Sequence, residues 1–195
     1  MRRSAKVERK TKETDIEVEL VLDGEGNYDL STPIPFLNHM FSLLAKHGFF
    51  DLRVRAEGDV QVDFHHTVED LGIVLGEAFR QALGDKRGIR RFGTATVPMD
   101  ESLATVSVDL SGRPYLHYQS PILQGKIGDL EVGLIKEFLR ALTNHLQATV
   151  HVQLWHGEDP HHGVEAIFKA LARALDEASR REERSGEIPS TKGAL

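Results

Sequence analysis

The run Asp63-Phe64-His65-His66-Thr67-Val68-Glu69 returns about a hundred positions later as Asp159-Pro160-His161-His162-Gly163-Val164-Glu165. An amphipathic stretch follows each copy. After the first, Leu71, Val74, Leu75, Ala78, Phe79 and Ala82 fall at helical spacing and predict a helix over 66–83. A chain that repeats a polar helix start this closely is constrained to fold as two similar units.

The flanking patterns agree. Ile16, Val18, Leu20 and Leu22 alternate with charged residues, as a half-buried strand requires, and Asp23-Gly24-Glu25-Gly26-Asn27 supplies a turn into a short strand through Tyr28 and Leu30 that pairs back on it. Phe36 to Leu44 carry a helical stripe that Gly48 stops, and 49–62 reads as extended. The order then restarts, with strands at 91–98 and 102–110, a short strand at 114–118, a helix from Leu130 to His145, a strand at 148–155 and a helix from His162 to Arg181. The expectation is an α+β protein made by internal duplication. Each unit is strand–strand–helix–strand–helix, a mostly antiparallel sheet with two helices on one face. The units span 1–88 and 89–184, and 185–195 forms a polar tail without regular structure.

Ten histidines are many for 195 residues. Imidazole and carboxylate together suit divalent first-row metals. Adjacent histidines on a helix diverge by about 100°, so they are poorly placed to share one ion. Each instead pairs with the glutamate three or four residues on, Glu69 for His65 and His66, Glu165 for His161 and His162. One histidine of each pair then serves one metal and the other a second, with the ions bridged by both units or by different subunits. His151 lies opposite Val150, Val152 and Leu154 on its strand and is therefore available as a ligand; His39 sits at a helix start.

Composition excludes several classes. A net charge of −6 gives no basic field for nucleic acid, and the absence of cysteine excludes disulfides and thiolate metal sites. The basic N-terminus lacks a signal peptide's apolar stretch, and no segment approaches the length of a membrane span, so a cytoplasmic protein is expected.

Several blocks, in order and over nearly the whole chain, resemble imidazoleglycerol-phosphate dehydratase of histidine biosynthesis. They are Phe36-Leu37-Asn38-His39-Met40, Asp63 to Asp70, Arg90-Arg91-Phe92-Gly93, Asp109-Leu110-Ser111-Gly112-Arg113-Pro114, His161 to Ala170 and Pro189-Ser190-Thr191-Lys192-Gly193. The resemblance implies a manganese-dependent lyase with two Mn2+ per active site, assembled from 24 subunits with sites between them. It implies metal ligation by His39, His65, His66, Glu69, His151, His161, His162 and Glu165, acid–base work by Glu13, and phosphate binding by Arg91, Arg113, Ser190 and Lys192. The substrate it implies is a small phosphorylated imidazole, D-erythro-imidazole glycerol phosphate, dehydrated to imidazole acetol phosphate through a metal-bound imidazolate and a diazafulvene. The chain departs from the family in having Asn38 where Asp is usual and Thr191 in place of a second serine. The ligands alone also fit a dinuclear metallohydrolase acting on a phosphorylated small molecule.

Overall fold

The computed structural model describes residues 3–121 and 124–195; Met1, Arg2 and residues 122–123 lie outside the described residues. The first half runs β1 (Ser4–Lys10), β2 (Thr14–Val21), β3 (Tyr28–Ser31), α1 (Pro35–Gly48), β4 (Asp51–Gly58) and α2 (His65–Leu83). The second runs β5 (Phe92–Met99), β6 (Ser102–Asp109), β7 (Tyr115–Gln119), a small hairpin of β8 (Lys126–Ile127) and β9 (Leu130–Glu131), α3 (Gly133–Leu146), β10 (Thr149–His156) and α4 (Pro160–Ser179). Two four-stranded sheets result, ordered β1-β2-β4-β3 and β5-β6-β10-β7. The same order, with three ladders of which only the one to β3 or β7 is parallel, marks the two halves as copies. The α+β class and the duplication expected from the sequence are therefore observed.

Four expectations need correction. The first half has three strands before its first helix, because the basic segment Ser4–Lys10 is a strand, and the second half has three sheet strands and the β8–β9 hairpin before its own. Its inward positions include Arg9, which reaches buried Asp70 (3.0 Å), so hydrophobic alternation alone could not reveal it. Tyr28–Ser31 does not pair back on β2 but runs parallel to β4, since α1 carries the chain across the sheet before β4 takes the place next to β2. The extended segment ends at Gly58, and Val60 and Val62 lie in a turn. Helix α3 begins at Gly133 rather than Leu130, which the β8–β9 hairpin uses.

Leu, Val and Ile on the inner faces of both sheets meet the helices in one continuous core. Helices from different halves pack on each other, α1 on α4 and α2 on α3. Phe138 of α3 stacks on Phe168 of α4 (5.6 Å) and meets Phe41 of α1 at a tilt (5.7 Å). Small residues set the spacing: a Cβ at Gly72 or Gly76 of α2 would come within 2.6 Å of the Phe138 or Leu142 carbonyl oxygen of α3. Gly93 of β5 is tighter still, with Ala174 O 2.1 Å from where a Cβ would stand, and the obstacle is helix backbone that cannot swing away. Gly93→Ala is expected to destabilise the chain by about 1–3 kcal/mol, read as a lowered thermal midpoint, through overpacking rather than lost chemistry. Among the described residues no helix is long and apolar enough to cross a membrane.

Candidate metal centre and phosphate site

Both His-His pairs open a helix whose start is held by the aspartate two residues earlier. Asp63 Oδ1 accepts the His65 N–H (2.7 Å) and Asp159 Oδ1 that of His161 (2.8 Å), which satisfies helix-end donors and explains why the aspartate recurs. Within each pair the rings stand at right angles, 89° with centroids 6.2 Å apart for His65 and His66, 87° and 6.1 Å for His161 and His162. The divergence argued from helix geometry shows in the partners of the second pair, since His161 reaches Glu165 whereas His162 turns to Glu101.

One cluster forms within the chain. His39 Nε2 lies 2.6 Å and His161 Nε2 3.2 Å from Glu165 Oε1, and their ligating atoms all fall within 4.8 Å of one another. Phe36 sets its edge against His161 (5.1 Å), and Lys169, one turn beyond Glu165 on α4, donates to Glu165 Oε2 (2.7 Å) and contacts Met99 Sδ. Burial alone would push the Glu165 carboxyl up, but the Lys169 ammonium and the hydrogen bonds from His39 and His161 together hold it at about 2. Two imidazoles and an ionised carboxylate converging on one point fit a divalent first-row metal, with further coordination positions free for other ligands.

The other expected ligands are elsewhere. His65 and Glu69 are exposed, and Glu69 makes no hydrogen bond or ion pair among the described residues. A depression of about 310 Å³ at His65 is lined by Asp63, Lys126, Asp129 and Glu131. The helix position corresponding to His39, fifth in α1, is Glu137, fifth in α3, where Arg140 donates to it (2.6 Å). The position on α3 equivalent to His39 on α1 thus carries a carboxylate rather than an imidazole, a difference visible in sequence only once the helices are aligned. His66 Nδ1 is 3.0 Å from Asp59 Oδ2, and His162 Nδ1 is 2.9 Å from Glu101 Oε2. Glu13, in the β1–β2 turn, approaches His66 Nε2 at 4.0 Å.

His151 lies apart from all of these, on the outer face of the second sheet, stacked on His117 (5.2 Å) beside Tyr115 (5.9 Å). That face also exposes Phe92, Tyr115 and Trp155 by 57–60% among threonines and serines. The outer face of the first sheet is instead charged, with Lys6 bridging Glu8 (2.9 Å) and Glu17 (2.8 Å). A concavity of about 600 Å³ opens on that charged face and holds none of the histidines.

The expected phosphate residues gather at the opposite end of the second half. Arg91, held at φ 73°, forks onto Asp109 (2.7 and 3.2 Å) and donates to the Pro189 carbonyl (2.9 Å), which docks the tail. Arg113 is exposed, its Nη2 3.9 Å from Asp109 Oδ2. Ser190 Oγ accepts the Lys192 N–H (3.2 Å). The Arg91 N–H donates to Ala178 O near the end of α4, whereas His161 stands at its beginning. The seventeen intervening steps put the two ends roughly 25 Å apart along the helix axis. Strand β10 places His151 toward the arginine end, since Thr149, two residues before it, pairs with Asp109.

Comparison with known proteins gives a consistent result. A family model described as imidazoleglycerol-phosphate dehydratase matches residues 32–175. The imidazoleglycerol-phosphate dehydratase of Thermoanaerobacter pseudethanolicus is 58% identical over 193 residues, covering 99% of this chain and 100% of the relative; that of Citrifermentans bemidjiense is 56% identical over 195 residues and the full length of both. Among solved structures, that of the enzyme from Pyrococcus furiosus in complex with (S)-C348 is 40% identical with a TM-score of 0.84, covering 97% of this chain and 100% of that one. The Staphylococcus aureus enzyme is 37% identical with a TM-score of 0.81, covering 90% and 97%.

Proposed function

The chain belongs to the imidazoleglycerol-phosphate dehydratase family, hydro-lyases of histidine biosynthesis, and from that premise we propose that it converts D-erythro-imidazole glycerol phosphate to imidazole acetol phosphate at sites built between copies of itself. The observation that carries the shared site is the separation along α4. A five-membered ring on a three-carbon phosphate ester is far shorter than the roughly 25 Å along α4 between His161 and the Ala178 that Arg91 bonds, so the His39–His161–Glu165 cluster and the same chain's Arg91 do not grip one molecule. A second copy supplies the missing end. The neutral aromatic outer face around His151 is suited to be covered, whereas the charged face of the first sheet is not. A closed homo-oligomer follows, with 24 copies as the assembly the resemblance implies.

In this reading His39, His161 and Glu165 hold one Mn2+, and His65, His66, Glu69, His151 and His162 complete the two metal positions across the interface. The bound metals act as Lewis acids on the imidazole ring. Arg91 and Arg113 orient the phosphate by forked donors, Lys192 and Ser190 close on it from the tail, and this fixes which carbon faces the acid–base group. Glu13, exposed and next to His66, moves the proton of the carbon next to the carbinol to the hydroxyl departing beside the ring, so that water leaves and the enol formed tautomerises to the ketone.

The test is a product assay on metal-stripped protein re-supplied with Mn2+. A ketone product, absent without the metal, is expected. A folded, metal-loaded sample that makes no ketone sinks the reading, and release of inorganic phosphate would favour hydrolysis instead.

A further inference from the structure

Neither Asp59 nor Glu101 belongs to the repeated motif, yet each faces the second histidine of one pair. Asp59 Oδ2 is 3.0 Å from His66 Nδ1 and Glu101 Oε2 is 2.9 Å from His162 Nδ1. We propose that Asp59 and Glu101 are positioning residues that fix His66 and His162 with the proton on Nδ1, leaving the Nε2 lone pair of each for a metal.

A carboxylate only accepts, so the nitrogen facing it must donate, and a neutral imidazole then carries its lone pair on the other nitrogen. The two carboxylates come from different places. Asp59 follows β4, whereas Glu101 sits in the β5–β6 turn, so the shared geometry is not the residue of one duplicated loop. The duplication makes this sharper. Glu13 and Glu101 each immediately precede the first residue of the second strand of their half, Thr14 and Ser102, and are therefore counterparts. In the second half the turn glutamate holds the histidine. In the first half Asp59 has taken that task, and Glu13 lies 4.0 Å from Nε2 instead, released for proton transfer. This division explains why one turn glutamate and not the other is left for acid–base work. The second oxygen of Asp59, Oδ1, is buried without a hydrogen-bond partner among the described residues, so its placement is not accounted for by stability. Glu101 has a further duty, since its Oε1 accepts the Asp159 N–H (3.1 Å) at the start of α4; Asp59 carries no such side-chain bond.

The inference rests on the metal reading above, and one titration separates the two. Mn2+ alone is titrated calorimetrically into metal-stripped wild type, Asp59→Asn, Asp59→Leu and Glu101→Gln, with the metal-free thermal midpoint measured alongside. Wild type should bind Mn2+. Asp59→Leu, which removes the acceptor, should weaken binding about 10–100-fold, and Asp59→Asn, which keeps an acceptor oxygen, should fall less, with no lowering of the metal-free midpoint. Glu101→Gln should weaken binding about tenfold. Wild-type affinity in all three variants overturns the positioning role; a wild type that does not bind Mn2+ overturns the metal reading itself. Should Glu101→Gln fail to fold, the Asp59 pair decides alone.

Discussion

Glu165→Gln is expected to reduce dehydration by about three orders of magnitude, roughly 4 kcal/mol of lost transition-state stabilisation. The side chain is 8% exposed and is the point on which His39, His161 and Lys169 converge. Glutamine keeps the shape but presents one neutral oxygen and an N–H₂ that opposes the Lys169 ammonium. The loss has a separate signature in the metal-free protein. A carboxyl held at about 2 in the fold, against an ordinary value in the unfolded chain, contributes stability that is present above about pH 4.5 and lost as pH falls toward 2. Thermal midpoints of the metal-free wild type and Glu165→Gln should therefore differ by a constant amount above pH 5 and converge below it. A parallel pH dependence in both would mean that the Lys169 and histidine contacts do not hold the ionised form.

Much of this site was legible in the chain because helix geometry is strict. The divergence of His161 toward Glu165 and His162 toward Glu101 follows from a 3.6-residue turn, and the aspartate two residues earlier is a helix-start acceptor in both copies. Outward-facing His151 was readable from its alternation with Val150 and Val152. For the second pair the structure sets His161, not His162, at hydrogen-bond distance from Glu165, beside His39 from the other half of the chain, a choice that spacing left open. The partners of His66 and His162 were hidden because Asp59 and Glu101 sit in turns, where no periodicity marks them. Strand β1 was hidden because its inner face is completed by an arginine on a buried aspartate, and β3 was misplaced because strand order depends on the route of α1, which local pattern does not encode.

The larger effect is expected from mixing two dead variants. In the proposed site Glu165→Gln removes the histidine end and Arg113→Ala the phosphate end; Glu165 lies near the start of α4, and Arg113 stands beside the Asp109 on which Arg91 forks, at the other end. If both ends of a working site came from one chain, every chain in a mixture would carry a lesion in its own site, and no mixture would work. If the ends come from different chains, random co-assembly pairs an intact histidine end with an intact arginine end at roughly a quarter of the sites. The two variants should each assemble as wild type does, so that the lesion is chemical rather than structural.

The decisive measurement is therefore the ketone-forming rate of the two variants unfolded together and co-assembled with Mn2+, against each variant treated alone. Recovery to about a quarter of the wild-type rate is the result expected for sites shared between chains. Co-assembly that occurs but leaves the rate at the level of the separate variants would contradict it and place each site within a single chain.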